Sequence, residues 1–378
     1  MKLDVYGCNI SYYTGKLEAY LRYRSIPYQS LPTVGNEKKL LAGAGVVQMP
    51  VVQIDDGRWM TDTTPMLAWL DGHYEDGHYE NGTIYPADPM LRFVALLIED
   101  YADEWLWRPA MHYRWSYRLG RVSAAEAIYT DIVEGNRAIP RWLAIRLIKA
   151  RQLGGFVKGD GVTRQTLAHT EQTYFTALDR LQNIFERRPF VLGATPSIAD
   201  YGLMGPMLRH FSQDPVPAEI MRARAPAVFE WVARMWNAKA TNAAPQFIDK
   251  ADDALAALLG EACDTNLVQH AYNAQAFTAG AGRYDMRVQE TDYKRIPTSR
   301  YRVWCLENLR RAWAALDAES QNALKAVLPP SAAILWQATD VAPSDYDSAN
   351  DAPFNRGINV YGKGVPGIFS LLYRRNTA

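Results

Sequence analysis

Ser11 opens the run Ser11-Tyr12-Tyr13-Thr14-Gly15-Lys16, which follows the short apolar stretch Leu3-Asp4-Val5-Tyr6 and Gly7. The stretch reads as a strand, and Lys16 to Arg24 reads as a helix, with Leu17, Tyr20 and Leu21 at helical spacing. The start of a helix exposes free backbone N–H groups at the positive end of its dipole. An anion is stabilised there, and a serine hydroxyl at that point can donate to a bound thiolate, lowering the thiol's pKa so that it attacks at neutral pH. The same serine also serves as a plain helix cap, and position alone does not separate the two roles. Cys8, three residues earlier, offers a different chemistry, a mixed disulfide.

Two further pieces stand downstream. Gln48-Met49-Pro50 precedes Val51-Val52-Gln53-Ile54, which reads as a strand, and Asp55-Asp56-Gly57 marks a hairpin turn into Arg58-Trp59-Met60. A cis bond before Pro50 would turn the Met49 backbone outward, leaving its N–H and C=O free to pair with a peptide-like ligand; a trans proline at a strand start is the ordinary alternative. Asp62-Thr63 then stands before a helix whose first turn holds Pro65. Thr63 is expected at or next to the N-cap, where a hydroxyl and free N–H groups suit a carboxylate, while Asp62 suits an ammonium. Simple capping uses the same residues.

These pieces need elements to hold them. Residues 1–80 alternate strand and helix patterns in the order βαβ then ββα, which predicts an α/β thioredoxin-like domain. Residues 71–82 form a polar near-repeat in which His73 and His78 invite a metal reading, but two histidines without cysteine read as a solvated linker. Residues 88–240 are expected to be all-helical, with one long helix over Leu91 to Trp107 and another within Gln165 to Phe185. Ser197 and Asp200 have capping-box spacing. Residues 241–378 are expected to form a small α+β appendage, with a helix from Arg300 to Leu328 and extended pieces at Ile334-Leu335-Trp336 and Ile358 to Tyr361.

Bulk composition bounds the rest. The chain has 378 residues, enough for two or three domains. Lys plus Arg equals Asp plus Glu at 41 each, so no global field recruits nucleic acid or anionic lipid. Three cysteines without a CxxC pair (Cys8, Cys263, Cys305) argue against a disulfide framework and fit a reducing compartment. No basic-then-apolar leader and no membrane-length apolar run is visible, so a soluble cytoplasmic protein without a membrane partner is expected.

Taken together, Ser11-Tyr12-Tyr13-Thr14-Gly15-Lys16, Gln48-Met49-Pro50 and Asp62-Thr63 resemble the cytosolic glutathione S-transferase superfamily. The first is similar to the S-x-x-T-x-R pattern of serine-type classes such as phi, with Lys for Arg. The second is similar to the family's Q-V-P, and the third stands where the family has Glu-Ser or Asp-Ser. Pro189-Phe190-Val191-Leu192-Gly193 with Ser197-Ile198-Ala199-Asp200 resembles the second-domain signature, and Ala225-Pro226 with Trp231 and Arg234 its closing helix. The resemblance spans roughly residues 1–240 and leaves the rest without an assigned function.

It implies a glutathione domain, an all-α second domain and a homodimer, with glutathione as co-substrate. Ser11 would bond the sulfur, Gln48 and the Met49-Pro50 backbone would hold the cysteinyl part, Asp62 and Thr63 the γ-glutamyl end, and Lys38 or Lys39 the glycyl carboxylate. Tyr12 replaces a frequent proline, so Tyr12 or Tyr13 is an alternative hydroxyl, and Tyr6 another. Cys8 does not occupy the position that the family's thiol-transferring classes give to cysteine. The implied activity is attack of the activated thiol on a hydrophobic electrophile, a detoxification-type transferase. A non-catalytic scaffold, or thiol–disulfide exchange through Cys8, is the alternative.

The helix after the linker is aromatic, and Tyr12, Trp107, His112, Tyr113 and Trp115 are expected to line the electrophile pocket. Glu99, Asp103 and Glu104 lie near His112 in sequence, but the E-x-x-H spacing of carboxylate metal sites is absent, so no metal is expected. Arg295, Arg300, Arg302, Arg310 and Arg311 make the tail locally basic; with Glu290, Asp292 and Glu307 among them the segment reads as a solvated face, without nucleic acid.

Overall fold

Alternating apolar residues build the first sheet. In the computed structural model, which describes residues 1–74, 82–133, 140–337, 340–358 and 360, four strands pair in the order β2-β1-β3-β4. They are β1 (Leu3–Gly7), β2 (Tyr28–Pro32), β3 (Val51–Ile54) and β4 (Trp59–Thr61). β1 and β2 are parallel, and β3 and β4 each run antiparallel to their neighbour. Leu3, Val5, Val52, Ile54 and Met60 pack with residues of α1 (Tyr12–Tyr23) and α3 (Thr63–His73). Tyr6 and Val51 join Leu40 and Ala44 on the side of α2 (Glu37–Gly43). The period of two thus divides the strands between two helical layers. The β3–β4 turn closes with Ile54 N–H donating to Arg58 O at 3.0 Å, and Gly57 takes φ +90°, a region that glycine enters without a Cβ clash.

Helices follow the sheet. They are α4 (Pro89–Asp100), α5 (Trp107–Ser116), α6 (Arg118–Ile128), α7 (Arg141–Gln152), α8 (Leu167–Phe185), α9 (Ile198–Pro206), α10 (Pro215–Arg224) and α11 (Pro226–Asn237). α9 packs against both α1 and α4, which locks the helical layer onto the sheet domain. Its start is a capping box: Asp200 accepts from the Ser197 N–H at 2.9 Å, and also from Val191 N–H and Trp231 Nε1. The single helix expected over Leu91 to Trp107 is instead α4, a π-helical turn at Tyr101–Trp105, and α5. The wider turn lets neighbouring acids reach different partners: Glu99 and Asp103 meet Lys16, Asp100 meets His270, and Glu104 meets Arg302. Pro109 lies in the first turn of α5, where it interrupts nothing.

The remaining residues form α12 (Asp253–Ala262), α13 (Val268–Thr278), a hairpin of β5 (Arg283–Val288) and β6 (Thr291–Pro297), α14 (Arg300–Ala314) and α15 (Ala318–Val327). Their apolar residues join the same core as the first two domains. The helix expected from Arg300 to Leu328 divides because Asp317 caps a new start, accepting from Ser320 N–H at 2.7 Å. Ile334 and Leu335 end a 3-10 turn, Pro330–Leu335, rather than an extended piece, since the preceding prolines favour a tight turn. The hairpin was not anticipated. Of the piece expected at 358–361, residues 359 and 361 lie outside the described residues, as does His78 of the polar repeat. Among the described residues no helix is long and apolar enough to cross a membrane.

Candidate glutathione site

Sheet register brings the three sequence pieces together. Tyr6 stands opposite Val51, and Val51 opposite Thr61. The chain therefore leaves β1 toward Ser11, enters β3 from Pro50 and leaves β4 toward Asp62 at one end of the sheet. The Met49–Pro50 peptide is cis. Ser11 is the N-cap of α1, half-buried, and its Oγ accepts from Thr14 N–H at 3.3 Å. Its hydroxyl proton makes no hydrogen bond among the described residues. Gln48 and Met49 are half-buried, and no partner is found for the Met49 backbone among the described residues.

Asp62 is the N-cap of α3, accepting from Thr64 N–H at 3.2 Å, and Thr63, next to the cap as expected, is the first helical residue and buried. Asp62 sits at φ +69°, a strained value for a residue with a Cβ. Burial pushes its carboxyl up to about 7, against the pull of Lys16 and of the hydrogen bonds from Thr64 N–H and Tyr301.

Beneath these termini lies a buried ion cluster. Lys16 Nζ sits 2.5 Å from Glu99 Oε1 and 2.5 Å from Asp103 Oδ2, and 3.3 Å from Thr64 Oγ1. Burial works against the ammonium, but Asp103 and Glu99 outweigh it and its pKa rises. One ammonium serves two carboxylates, and burial pushes the Asp103 carboxyl well above the usual range. No local pattern announces a partner for Lys16, because Glu99 and Asp103 lie on α4 and the π turn. Asp100, His270 and Cys305 also converge, but the Asp100 Oδ2 is already met by His270 Nε2 at 2.8 Å and Asn266 Nδ2 at 2.5 Å, a hydrogen-bonded set rather than a vacant ligand shell.

The alternative hydroxyls point elsewhere. Tyr12 donates to Ala102 O at 2.5 Å and Tyr13 to Asp103 O at 3.0 Å, both fastening α1 to the π turn. Tyr6 faces α2, where Lys39 Nζ donates to its hydroxyl at 2.6 Å. Lys38 and Lys39 are both exposed, and Lys39 is engaged on that face. Burial raises the Cys8 thiol, which works against a thiolate there. Four of the five residues expected to line an electrophile pocket are instead core: Tyr12, His112, Tyr113 and Trp115 are at most 2% exposed. His112 bonds Glu171 Oε1 at 3.1 Å, and Tyr113 stacks on Tyr117. Aromatic content marked a packed layer, since bulky rings fill cores as readily as pockets. Trp107 alone stays half-buried, stacked on Tyr13 and edge-on to Phe156.

Residues 5–78 match the family model of the glutathione S-transferase N-terminal domain, and residues 164–234 that of its C-terminal domain. These two segments are thus similar to the two domains of glutathione S-transferases, and residues 79–163 and those beyond 234 lie outside both matches. Similar solved structures include beta-etherase LigF from Sphingobium sp. strain SYK-6, 16% identical over 62% of this chain and 95% of that one, TM-score 0.44. Poplar glutathione transferase F1 is 12% identical over 63% and 93%, TM-score 0.40. A glutathione S-transferase of Methylobacterium radiotolerans JCM 2831, in complex with glutathione sulfonate, is 15% identical over 67% and 100%, TM-score 0.38. Likenesses this distant carry no argument about chemistry. A search of curated proteins finds no match.

Proposed function

We propose that the protein binds glutathione and activates its thiol for attack on a hydrophobic electrophile. The reading rests on one observation: the Ser11 cap, the cis Met49–Pro50 backbone and the Asp62 cap leave one end of one sheet. Ser11, with an uncommitted hydroxyl proton at a helix N-terminus, donates to the glutathione sulfur and favours its thiolate. Met49 N–H and C=O pair with the cysteinyl unit as an added strand would, and Gln48 flanks it. Asp62 takes the γ-glutamyl ammonium, and the start of α3 at Thr63 its carboxylate. Lys38, which does not share the bond of Lys39 to Tyr6, is the cation for the glycyl end. Trp107 supplies an apolar wall near the first helix for the electrophile. A homodimer is proposed on family grounds, and sedimentation velocity of the full chain tests it.

The test is a Ser11→Ala protein measured for glutathione binding by calorimetry and for turnover with a panel of aryl halides, enones and aryl ethers. Retained binding with turnover reduced by about 10²-fold or more is expected, the loss of a group that acts on the developing nucleophile. Absence of glutathione binding in the unaltered protein would refute the reading and favour a non-catalytic scaffold.

A further inference from the structure

We propose that the C-terminal extension is a built part of this ligand site: Tyr301 of α14 and Tyr346 of the following tail are positioning residues that aim Asp62 at the cationic end of a bound γ-glutamyl group. The proposal rests on the glutathione reading above.

Asp62 belongs to the first domain, yet its carboxylate is held largely by residues some 240 positions or more away in sequence. Tyr301 OH donates to its Oδ1 at 3.1 Å, and Tyr346 OH to its Oδ2 at 3.4 Å. The two rings meet edge-on at 5.2 Å, and each packs on Trp304. Tyr346 is itself fixed. Ser344 bonds Glu307 through both its N–H and its hydroxyl, and Asn355 Nδ2 donates to Tyr346 O. From there the tail follows the rim of the site. Thr61 N–H, on the outer edge of β4, donates to Pro353 O at 2.9 Å, and Gly357 N–H donates to Ala44 O at 2.8 Å. Arg356 reaches Leu41 O, and Phe354 packs edge-on against Trp69. The tail thus spans from the Asp62 end to the loop that leads into Met49–Pro50.

This arrangement has a chemical sense. A charged carboxylate only accepts, so two hydroxyl donors favour the charged form of Asp62, the form that holds an ammonium. They also fix its direction at a backbone conformation that costs energy to maintain. The groups facing Asp62 are Lys16 of α1, Glu99 of α4, Tyr301 and Cys305 of α14, and Tyr346 of the tail. Behind it lies a cavity of about 60 Å³ lined by Thr64, Glu99, Asp103, Glu104, Tyr301 and Cys305, among others. Its carboxylates are met by Lys16 and Arg302, so the lining is no anion site.

The experiment uses the full chain, with Tyr301→Phe, Tyr346→Phe and the double variant. Two probes are titrated by calorimetry between pH 6 and 8.5: glutathione, and glutaryl-cysteinylglycine, which lacks only the ammonium. In the unaltered protein glutathione binds more tightly than the analogue. In the double variant glutathione weakens about ten-fold at pH 7, the scale of one lost charge-assisted contact. The analogue is unchanged, and the weakening of glutathione on acidification begins at higher pH, because Asp62 has lost donors to its charged form. kcat at saturating glutathione stays within about two-fold, as expected for lost ground-state binding. Equal losses for both probes would mean a structural role and overturn the proposal, as would tighter glutathione binding, which would mean the tyrosines obstruct the site. If the double variant does not fold, the single variants carry the same comparison. Unchanged variants with glutathione bound by the unaltered protein overturn this inference alone; an unaltered protein that binds neither probe overturns the glutathione reading and this inference with it.

Discussion

Lys16 is the residue whose loss the structure makes most measurable. It is wholly buried, and its ammonium is shared between Glu99 and Asp103 with Thr64 beside them. Lys16→Met keeps most of the chain length and removes the charge. Both carboxylates then stay buried without a counter-ion, and breaking a buried pair from one side costs about 3–5 kcal/mol. The pH dependence gives the argument its sign. Burial already holds the Asp103 carboxyl above the usual range, and loss of the Lys16 ammonium, which pulls it down, raises it further, so this contribution to stability is intact below roughly pH 4 and is lost as pH rises through the raised value. The deficit against the unaltered protein should therefore be full at pH 7.5 and shrink strongly by about pH 4.5. Urea unfolding followed by tryptophan fluorescence at both pH values measures it. A deficit under about 1 kcal/mol at pH 7.5, or one equal at both pH values, would refute the idea that Lys16 acts by compensating buried charge.

Asp200→Ala should cost about 3 kcal/mol or more in thermal or urea unfolding, because it strands Val191 N–H, Ser197 N–H and Trp231 Nε1 in a fully buried site. Gly202→Ala should destabilise by about 1–3 kcal/mol, since a Cβ there would lie 2.7 Å from the Glu99 Cα and force α9 away from α4. Burial raises the Cys8 thiol, so alkylation of the native protein by iodoacetamide at pH 7.5 should be at least about ten-fold slower than that of free cysteine and should accelerate past pH 9. Alkylation of Cys8 at the free-cysteine rate would contradict the raised value and reopen exchange chemistry.

Local signals in the sequence marked the sheet and several helix starts of the first 240 residues. Leu3 to Tyr6 and Val51 to Ile54 carry strand alternation, Asp-Gly marks the β3–β4 turn, and Ser197 with Asp200 marks a helix start that the structure closes as a capping box. Ser11 and the start of α3 at Asp62 and Thr63 were legible because caps are local. What was not legible depended on long-range contact. No pattern near Lys16 announces Glu99, and none near Asp62 announces Tyr301 or Tyr346. The aromatic run after Tyr101 misled for a physical reason. Its period serves a packed layer in which Tyr113 meets Tyr174 edge-on and Tyr174 stacks on Phe211, and burial of that kind looks the same in sequence as a pocket wall. The β5–β6 hairpin was missed although its signal was present: Tyr284, Met286 and Val288 are buried and alternate with charged residues, the period of two that marks a half-buried strand.

The bond from Thr61 N–H to Pro353 O carries a consequence beyond the cleft. An uncovered border strand is a template on which other chains can stack, and proteins guard such strands by covering or charging them. Here the guard is a proline-bearing stretch almost three hundred residues downstream, which ends the ladder because proline has no N–H to pass the pairing on. Solubility of the amino-terminal lobe is thereby tied to the far end of the polypeptide. Weakening that cover is expected to raise self-association, which light scattering of a Pro353→Ala protein would register.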